Sequence, residues 1–277
     1  MTDKTAEKTI KQQGAKSTAN NGAKKSTKKH EALTLLKDLV AIVAFYFIFT
    51  TFAWGAFHIP SGSMEPTLEV GDRIFVSKFA YGYDRYSFPL DPEFISESRT
   101  FESTPERGDV VVFTLPYKDD IDFIKRVIGL PGDTIQMQYG RLIINGTMVP
   151  RKLIRDVHYT SYSDQDIRGK EYEETLPGGV KHRIYERSDE NGTARRPGPD
   201  HTRIFKVPAD HYFMMGDNRD ASADSRYRGA NPMGYVHKKY LVGRADITTF
   251  SLYDCDQGKE ISCFIGIPYG RFFNGID

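Results

Sequence analysis

The feature that most constrains this chain is an uninterrupted apolar stretch near its N-terminus. Residues 39–57 read LVAIVAFYFIFTTFAWGAF, which is 19 residues without a charge. As an α-helix rising about 1.5 Å per residue, the stretch is roughly 28 Å long, close to a hydrocarbon core of about 30 Å. Trp54 near its end is typical of an interfacial anchor. The pattern therefore predicts a transmembrane anchor over residues 38–57, and its length disfavours a buried core helix.

A cleaved signal peptide is the other alternative for this stretch. Ala53, Trp54 and Gly55 resemble a small-x-small cleavage site. However, the apolar core of a signal peptide usually has about 7 to 15 residues, and the basic region before it is short. An uncleaved anchor is therefore favoured.

The segment before the anchor is basic and polar. Residues 1–37 contain nine lysines and three acidic residues, a net charge of +6, with few large apolar side chains. Such a composition predicts a disordered tail. DNA binding is one reading of a basic tail, but its position before an apolar stretch favours a topology signal. The positive-inside rule then predicts a cytoplasmic N-terminus and residues 58–277 on the other side of the membrane.

The chain after the anchor is predicted to be mostly β. Alternating or continuous apolar runs bounded by turn residues predict strands. They lie at 72–82, 108–115, 122–130, 211–217 and 240–253, with a hairpin at 141–150 that turns at Asn145 and Gly146. The predicted fold is one transmembrane helix followed by an antiparallel β domain, residues 58–133 and 204–277, with an inserted β subdomain at 134–203. Residues 151–203 are polar and rich in Gly and Pro, which predicts that this part is a solvent-facing β subdomain with long loops.

Cysteine and histidine give no metal motif. Cys255 and Cys263 are too few for a structural zinc site, and they form either a disulfide or two free thiols. The seven histidines are scattered without an HExxH pattern. The formal net charge of the whole chain is +1, so no global field attracts nucleic acid. We expect no metal, no cofactor and no nucleic-acid partner.

Two serines follow the anchor at once, in the segment HIPSGSMEPTL at residues 58–68. A turn is the plain interpretation, because Pro, Ser and Gly favour turns. If Ser63 is a nucleophile, it needs a base, and no histidine motif supplies one. A lysine can act as base only when neutral, which requires its pKa to fall from about 10.4 to between about 7 and 8 through burial. Lys125 and Lys78 both lie on apolar faces of predicted strands, so the residues alone leave this choice open.

Five segments resemble, in order, the sequence boxes of bacterial type I signal peptidases. They are PSGSMEPTL (60–68), GDRIFVSK (71–78), RGDVVVF (107–113), FIKRVIGLPGD (123–133) and GDNRDASADSRYRG (216–229). The resemblance covers about two thirds of the part after the anchor and fades in residues 83–106 and 134–203.

This resemblance implies a role for several residues. Ser63 corresponds to the nucleophile, Lys125 to its general base and Ser222 to a hydroxyl that orients the lysine amine. The Ser63 N–H and the Ser61 hydroxyl would form the oxyanion hole, because residues i and i+2 of an extended segment share a face. Structural ion pairs are expected among Arg126, Asp217, Arg219, Asp224 and Arg226, and shallow substrate pockets at Ile59, Met64, Leu68 and Ile124.

The implied reaction is hydrolysis of an exported preprotein after an Ala-x-Ala sequence, at the surface of the bacterial inner membrane. Three rivals remain. A self-cleaving repressor shares the Ser-Lys pair but should carry a DNA-binding motif and no anchor. A binding domain that no longer cleaves, and a peptidase with dedicated substrates, are the other two.

Overall fold

The structure is a computed structural model that describes residues 31, 33–83, 99–115, 121–160, 166–187, 199–227, 232–251 and 269–276. Most of the predicted tail and both cysteines lie outside the described residues. The chain divides into two compact units, Met1–Phe49 and Thr50–Asp277.

An N-terminal helix, α1, occupies residues 33–48 and continues as a π-helical turn at Phe49–Ala53. The whole span Leu33–Ala53 is long and apolar enough to cross a membrane, and none of it is buried within the protein. This span begins five residues before the start of the predicted anchor, residues 38–57, and ends four residues before its end. Trp54–His58 is instead a β-strand, because its backbone pairs with a second strand from Trp54↔Ser77 to His58↔Arg73.

The rest of the described chain is built of antiparallel strands. In chain order they are β1 Trp54–His58, β2 Asp72–Ser77, β3 Val110–Leu115, β4 Ile121–Gly129, β5 Thr134–Gln138, β6 Arg141–Ile144, β7 Thr147–Met148, β8 Arg151–Thr160, β9 Asp166–Thr175, β10 Lys181–Arg187, β11 Phe205–Lys206, β12 His211–Met215, β13 Val236–His237, β14 Leu241–Ser251 and β15 Asn274–Gly275. The mostly β architecture with one apolar helix agrees with the prediction.

The strands form three sheets. The main sheet has the order β1-β2-β14-β3-β4-β12-β13, with β15 paired to β14. The inserted region contributes a three-stranded sheet, β10-β9-β8, and three strands of a four-stranded sheet, β11-β5-β6-β7, whose β11 lies just after it. All six residues of β3 are buried, which explains its continuous apolar run at the centre of the main sheet.

The predicted hairpin turn is confirmed. Ile144 pairs with Thr147, and the two residues between them, Asn145 and Gly146, have φ of 52° and 77°. Asn-Gly is favoured there because both central positions of a type I′ turn need positive φ. Residues 151–160, 166–175 and 181–187 form paired strands, which agrees with the β subdomain predicted here. The Gly- and Pro-containing run at 188–198 lies outside the described residues.

The strand predicted at 72–82 is too long. β2 ends at Ser77, and Lys78–Tyr81 form a 3-10 turn that Gly82 follows with φ of 82°. At this end β2 loses one of its two partners, since β1 begins at Trp54, opposite Ser77, while β14 continues to Leu241 on the other side. Lys78 is therefore not a strand residue.

Candidate active site

Ser63 lies in a single 3-10 turn, Gly62–Met64, that follows β1. Ser61 before the turn is extended, with φ of −141° and ψ of 150°, and the Glu65 N–H closes the turn on the Gly62 carbonyl at 3.2 Å. The expected extended segment through Ser63 is therefore wrong, because the chain curls directly after Ser61. Ser61 is exposed, whereas Ser63 is buried with 8% of its surface accessible.

The edge of β4 brings a lysine to this turn. Lys125 Nζ lies 2.7 Å from Ser63 Oγ and 2.8 Å from the Ile124 carbonyl oxygen. Lys125 is 4% exposed, and its backbone pairs with Val111 of the central strand β3. A hydroxyl and an amine at hydrogen-bond distance form the geometry that a nucleophile and its base require.

The loop after β12 donates hydrogen bonds to the turn Gly62–Met64, which we call the serine turn. The Asn218 N–H donates to the Ser63 carbonyl at 3.2 Å, and Asn218 Nδ2 donates to the Gly62 carbonyl at 3.1 Å. Gly216 packs so closely that a Cβ there would lie 2.4 Å from both the Ser63 carbonyl and Ser222 Oγ. The absence of a side chain at Gly216 thus allows the loop to approach the nucleophile.

Ser222 lies in this loop, against the main chain of Ser63. Its hydroxyl is buried and makes no hydrogen bond to Lys125 Nζ. Burial alone would raise the pKa of Asp224, whereas Arg226, the Gly216 N–H and the Ser222 hydroxyl lower it. The expected hydrogen bond to the Lys125 amine is therefore not formed in this structure, and the orienting role stays a prediction.

Arg126, the next residue on β4, points to the opposite face and pairs with Asp217. Arg126 Nη2 lies 2.8 Å from Asp217 Oδ2, and both side chains are fully buried. The Thr67 hydroxyl donates to the same carboxylate at 2.6 Å. Burial alone would raise the pKa of Asp217, but the charge and hydrogen bonds of Arg126 hold it below its usual range.

The other three residues of the expected ion-pair set, Arg219, Asp224 and Arg226, take part in two further ion pairs. Arg226 binds Asp224, with Nη2 2.8 Å from Oδ2, and also donates to the Arg219 carbonyl at 2.6 Å. Arg219 itself pairs with Glu174 of β9. Glu174 was not predicted, because it lies 45 residues from Arg219 in a run of alternating charges that gave no sign of burial.

The four expected pocket residues lie close to the serine turn but differ in exposure. Ile59, Met64 and Leu68 belong to a buried core cluster, and the last two have no accessible surface. Ile124 is partly buried against that cluster. Ile124 is thus the member that can line an open pocket in this conformation, and the pocket assignment stays a prediction.

The first half of β4 has an open edge. Residues 121–126 pair with β3 on one side, whereas β12 pairs only with 126, 127 and 129 on the other. Among the described residues, no strand pairs with the outer edge of 121–125. This edge can accept an extended peptide by β-strand addition, and it ends at Lys125.

No cluster of metal-binding side chains occurs in the described ranges.

Comparisons with known proteins identify the relatives of this chain. A sequence model of the family described as signal peptidase, peptidase S26, matches residues 32–250. The signal peptidase I of Pseudomonas aeruginosa is 40% identical over 216 residues, which cover 76% of this chain and 69% of the relative. That of Rickettsia massiliae is 37% identical over 198 residues, covering 70% and 71%. A solved signal peptidase I from Enterococcus faecalis matches 51% of this chain and 97% of its own, at 23% identity and a TM-score of 0.28.

Proposed function

Because the chain belongs to the signal peptidase family, peptidase S26, we propose that it cuts preproteins after an Ala-x-Ala sequence, with Ser63 as nucleophile and Lys125 as general base. Family membership makes the chain a membrane-anchored peptidase whose substrates are preproteins with signal peptides. The observation that carries the proposal is the 2.7 Å distance between Lys125 Nζ and Ser63 Oγ.

The chemistry follows from this pair. The neutral Lys125 amine accepts the hydroxyl proton while Ser63 Oγ attacks the scissile carbonyl carbon. The ammonium then gives the proton to the leaving amine, and an ester links Ser63 to the cleaved signal peptide. Water then attacks the ester carbon while the amine takes its proton, and the ammonium returns that proton to Ser63 Oγ as the ester bond breaks. The low exposure of Lys125, 4%, favours the neutral form, because an ammonium ion is costly to remove from water.

The oxyanion would be stabilised from the serine turn. The first N–H groups of a helical turn have no partner within that turn, and Ser63 is its second residue. The Ser61 hydroxyl makes no capping hydrogen bond. We assign these two donors to the oxyanion hole, where each preorganised donor lowers the barrier.

Substrate binding is proposed along the outer edge of β4. An extended peptide pairing with residues 121–124 would reach the nucleophile at the end of the edge. Alternate side chains of such a peptide face the protein, so the residues at −1 and −3 would enter pockets beside Ile124. Small pockets reject larger side chains by steric overlap, which fits an Ala-x-Ala preference.

The test is a cleavage assay with the full-length protein in detergent and lipid. The substrate is a preprotein whose signal peptide ends in Ala-x-Ala, and mass spectrometry identifies the new N-terminus. We expect one cut after the second alanine and none when phenylalanine replaces it. The Ser63→Ala variant should be inactive. Equal cleavage by Ser63→Ala, or a cut at another position, would contradict the proposal.

We also propose that the N-terminus is cytoplasmic and the β domain extracytoplasmic, as the nine lysines in residues 1–37 indicate. In spheroplasts of a bacterial host, external protease should digest the β domain and leave an N-terminal epitope tag intact. Loss of the tag with retention of the domain would reverse the orientation.

A further inference from the structure

The inserted three-stranded sheet is hydrogen-bonded to the loop that supports the nucleophile. On β10, the Tyr185 N–H donates to the Asp217 carbonyl at 2.9 Å, and the Tyr185 carbonyl accepts from the Arg219 N–H at 2.9 Å. The Arg187 N–H donates to Asp220 Oδ2 at 2.7 Å. The loop 217–220 therefore continues the edge of this sheet.

Side chains also hold the inserted sheet against the loop 217–220, and we call this contact the junction. Glu174 of β9 binds Arg219 through both carboxylate oxygens, one of them 3.1 Å from Nη1, and each side chain is 2% exposed. Burial alone would raise the pKa of Glu174, but the charge and hydrogen bonds of Arg219 hold it below its usual range. The carboxylate is therefore ionised and neutralises the buried guanidinium.

His182 lies between the two ion pairs of this region. Its Nε2 is 3.5 Å from Glu174 Oε2 and 3.9 Å from Asp217 Oδ1. Burial, followed by the charge of Arg126, lowers the pKa of His182 to about 4, so the ring is neutral at ordinary pH. Since a neutral ring offers no charge, Glu174 and Arg219 neutralise each other.

The junction leads directly to Ser63. Asp217 is fixed by Arg126, the neighbour of Lys125, and Arg219 is fixed by Glu174. Asn218 stands between these two fixed residues and makes the hydrogen bond to the Ser63 carbonyl at 3.2 Å. A shift of Arg219 would therefore move Asn218 and the serine turn together.

We propose that Glu174 is a positioning residue for the reaction, which by fixing Arg219 holds Asn218, and through it Ser63, at the proper distance from Lys125. The inference rests on the proposed function. It gives the inserted sheet a role in rate, separate from substrate binding on β4.

The test substitutes Glu174→Gln in the full-length protein and measures kcat and KM for preprotein cleavage. We expect kcat to fall about 10- to 100-fold, since small misplacements of reacting groups are costly, and KM to stay within about twofold. In a double-mutant cycle, Glu174→Gln combined with Arg219→Gln should cost no more than either change alone, because both remove one ion pair.

Glu171→Gln is the matched control. Glu171 lies on the same strand, is 1% exposed and is also paired with an arginine, Arg155 of β8, at 2.7 Å. That arginine belongs to the inserted sheet, so this variant should keep the kcat of wild type. Equal losses of kcat in Glu171→Gln and Glu174→Gln would mean a general structural role and overturn the proposal.

Two further outcomes are distinct. Wild-type protein that cuts no preprotein would refute the proposed function itself. Active wild type with unchanged kcat in Glu174→Gln would refute only the positioning role. If Glu174→Gln does not yield folded protein by circular dichroism, Glu174→Asp decides, with an expected loss in kcat of about 10-fold at unchanged KM. An unchanged kcat in Glu174→Asp would then overturn the proposal.

Discussion

The regions around Lys125 and Lys78 present similar amines in different surroundings. Both lysines are buried, at 4% and 7% exposure. Lys125 ends an open strand edge and lies 2.7 Å from the Ser63 hydroxyl. Lys78 lies in a turn beside Gly55, and its amine feels the charge of Asp122. The difference teaches that burial alone does not make a base, because a nucleophile must also lie within reach.

The largest effect that sharpens this comparison is expected from a glycine in the Lys125 region. Gly216→Ala would place a Cβ 2.4 Å from the Ser63 carbonyl, so backbone must move. We expect the initial rate of preprotein cleavage to fall about 100-fold.

Gly55→Ala is the counterpart in the Lys78 region. Its Cβ would lie 2.7 Å from Phe57 Cε2 and 3.1 Å from Lys78 Cε, so two side chains must shift but no backbone. Cleavage should stay within about twofold of wild type. Equal losses in the two alanine variants would show that the two regions do not differ as described.

A smaller effect is expected at Ser222. Its buried hydroxyl makes no hydrogen bond to the Lys125 amine and lies beside the Ser63 main chain. If it orients the Lys125 amine during the reaction, Ser222→Ala should lower kcat about 10-fold without a change in unfolding temperature.

Ser225→Ala serves as the control for Ser222. The Ser225 hydroxyl accepts the Met214 N–H at 2.9 Å, so its loss should lower the unfolding temperature and leave kcat near wild type. A normal kcat in Ser222→Ala would remove the orienting role.

The positions of these groups were only partly predictable from the sequence. Period-two alternation correctly placed Lys125 on a strand, and the family resemblance of the two segments predicted Lys125 as the partner of Ser63. The 3-10 turn at Gly62–Met64 escaped prediction, because three residues carry no periodicity. The end of β2 before Lys78 depends on where β1 begins, which is a property of the partner strand. The pair of Glu174 and Arg219 depends on sheet packing across 45 residues.

The smallest effect on activity is expected from Lys78→Met, which should keep cleavage within about twofold. Burial lowers the pKa of Lys78, although the charge of Asp122 opposes the shift. Between that lowered pKa and 10.5, the unfolded chain binds a proton that the folded chain has released, so the free energy of unfolding rises with pH.

The Lys78→Met variant removes this titration. It should therefore unfold at a higher temperature than wild type at neutral pH, and its unfolding temperature should rise less toward alkaline pH. The exposed Lys152→Met provides the control and should follow wild type. If Lys78→Met loses stability at neutral pH, the amine has an interaction that this account lacks.

The most direct test of the central claim compares Lys125→Ala and Lys78→Ala in one preprotein cleavage assay with the full-length protein. We expect Lys125→Ala, still folded by circular dichroism, to lose at least about a thousandfold in kcat, the scale of general-base catalysis. Lys78→Ala should cleave at nearly the wild-type rate. Full activity of Lys125→Ala together with an inactive, folded Lys78→Ala would contradict the account and assign the base to the other lysine.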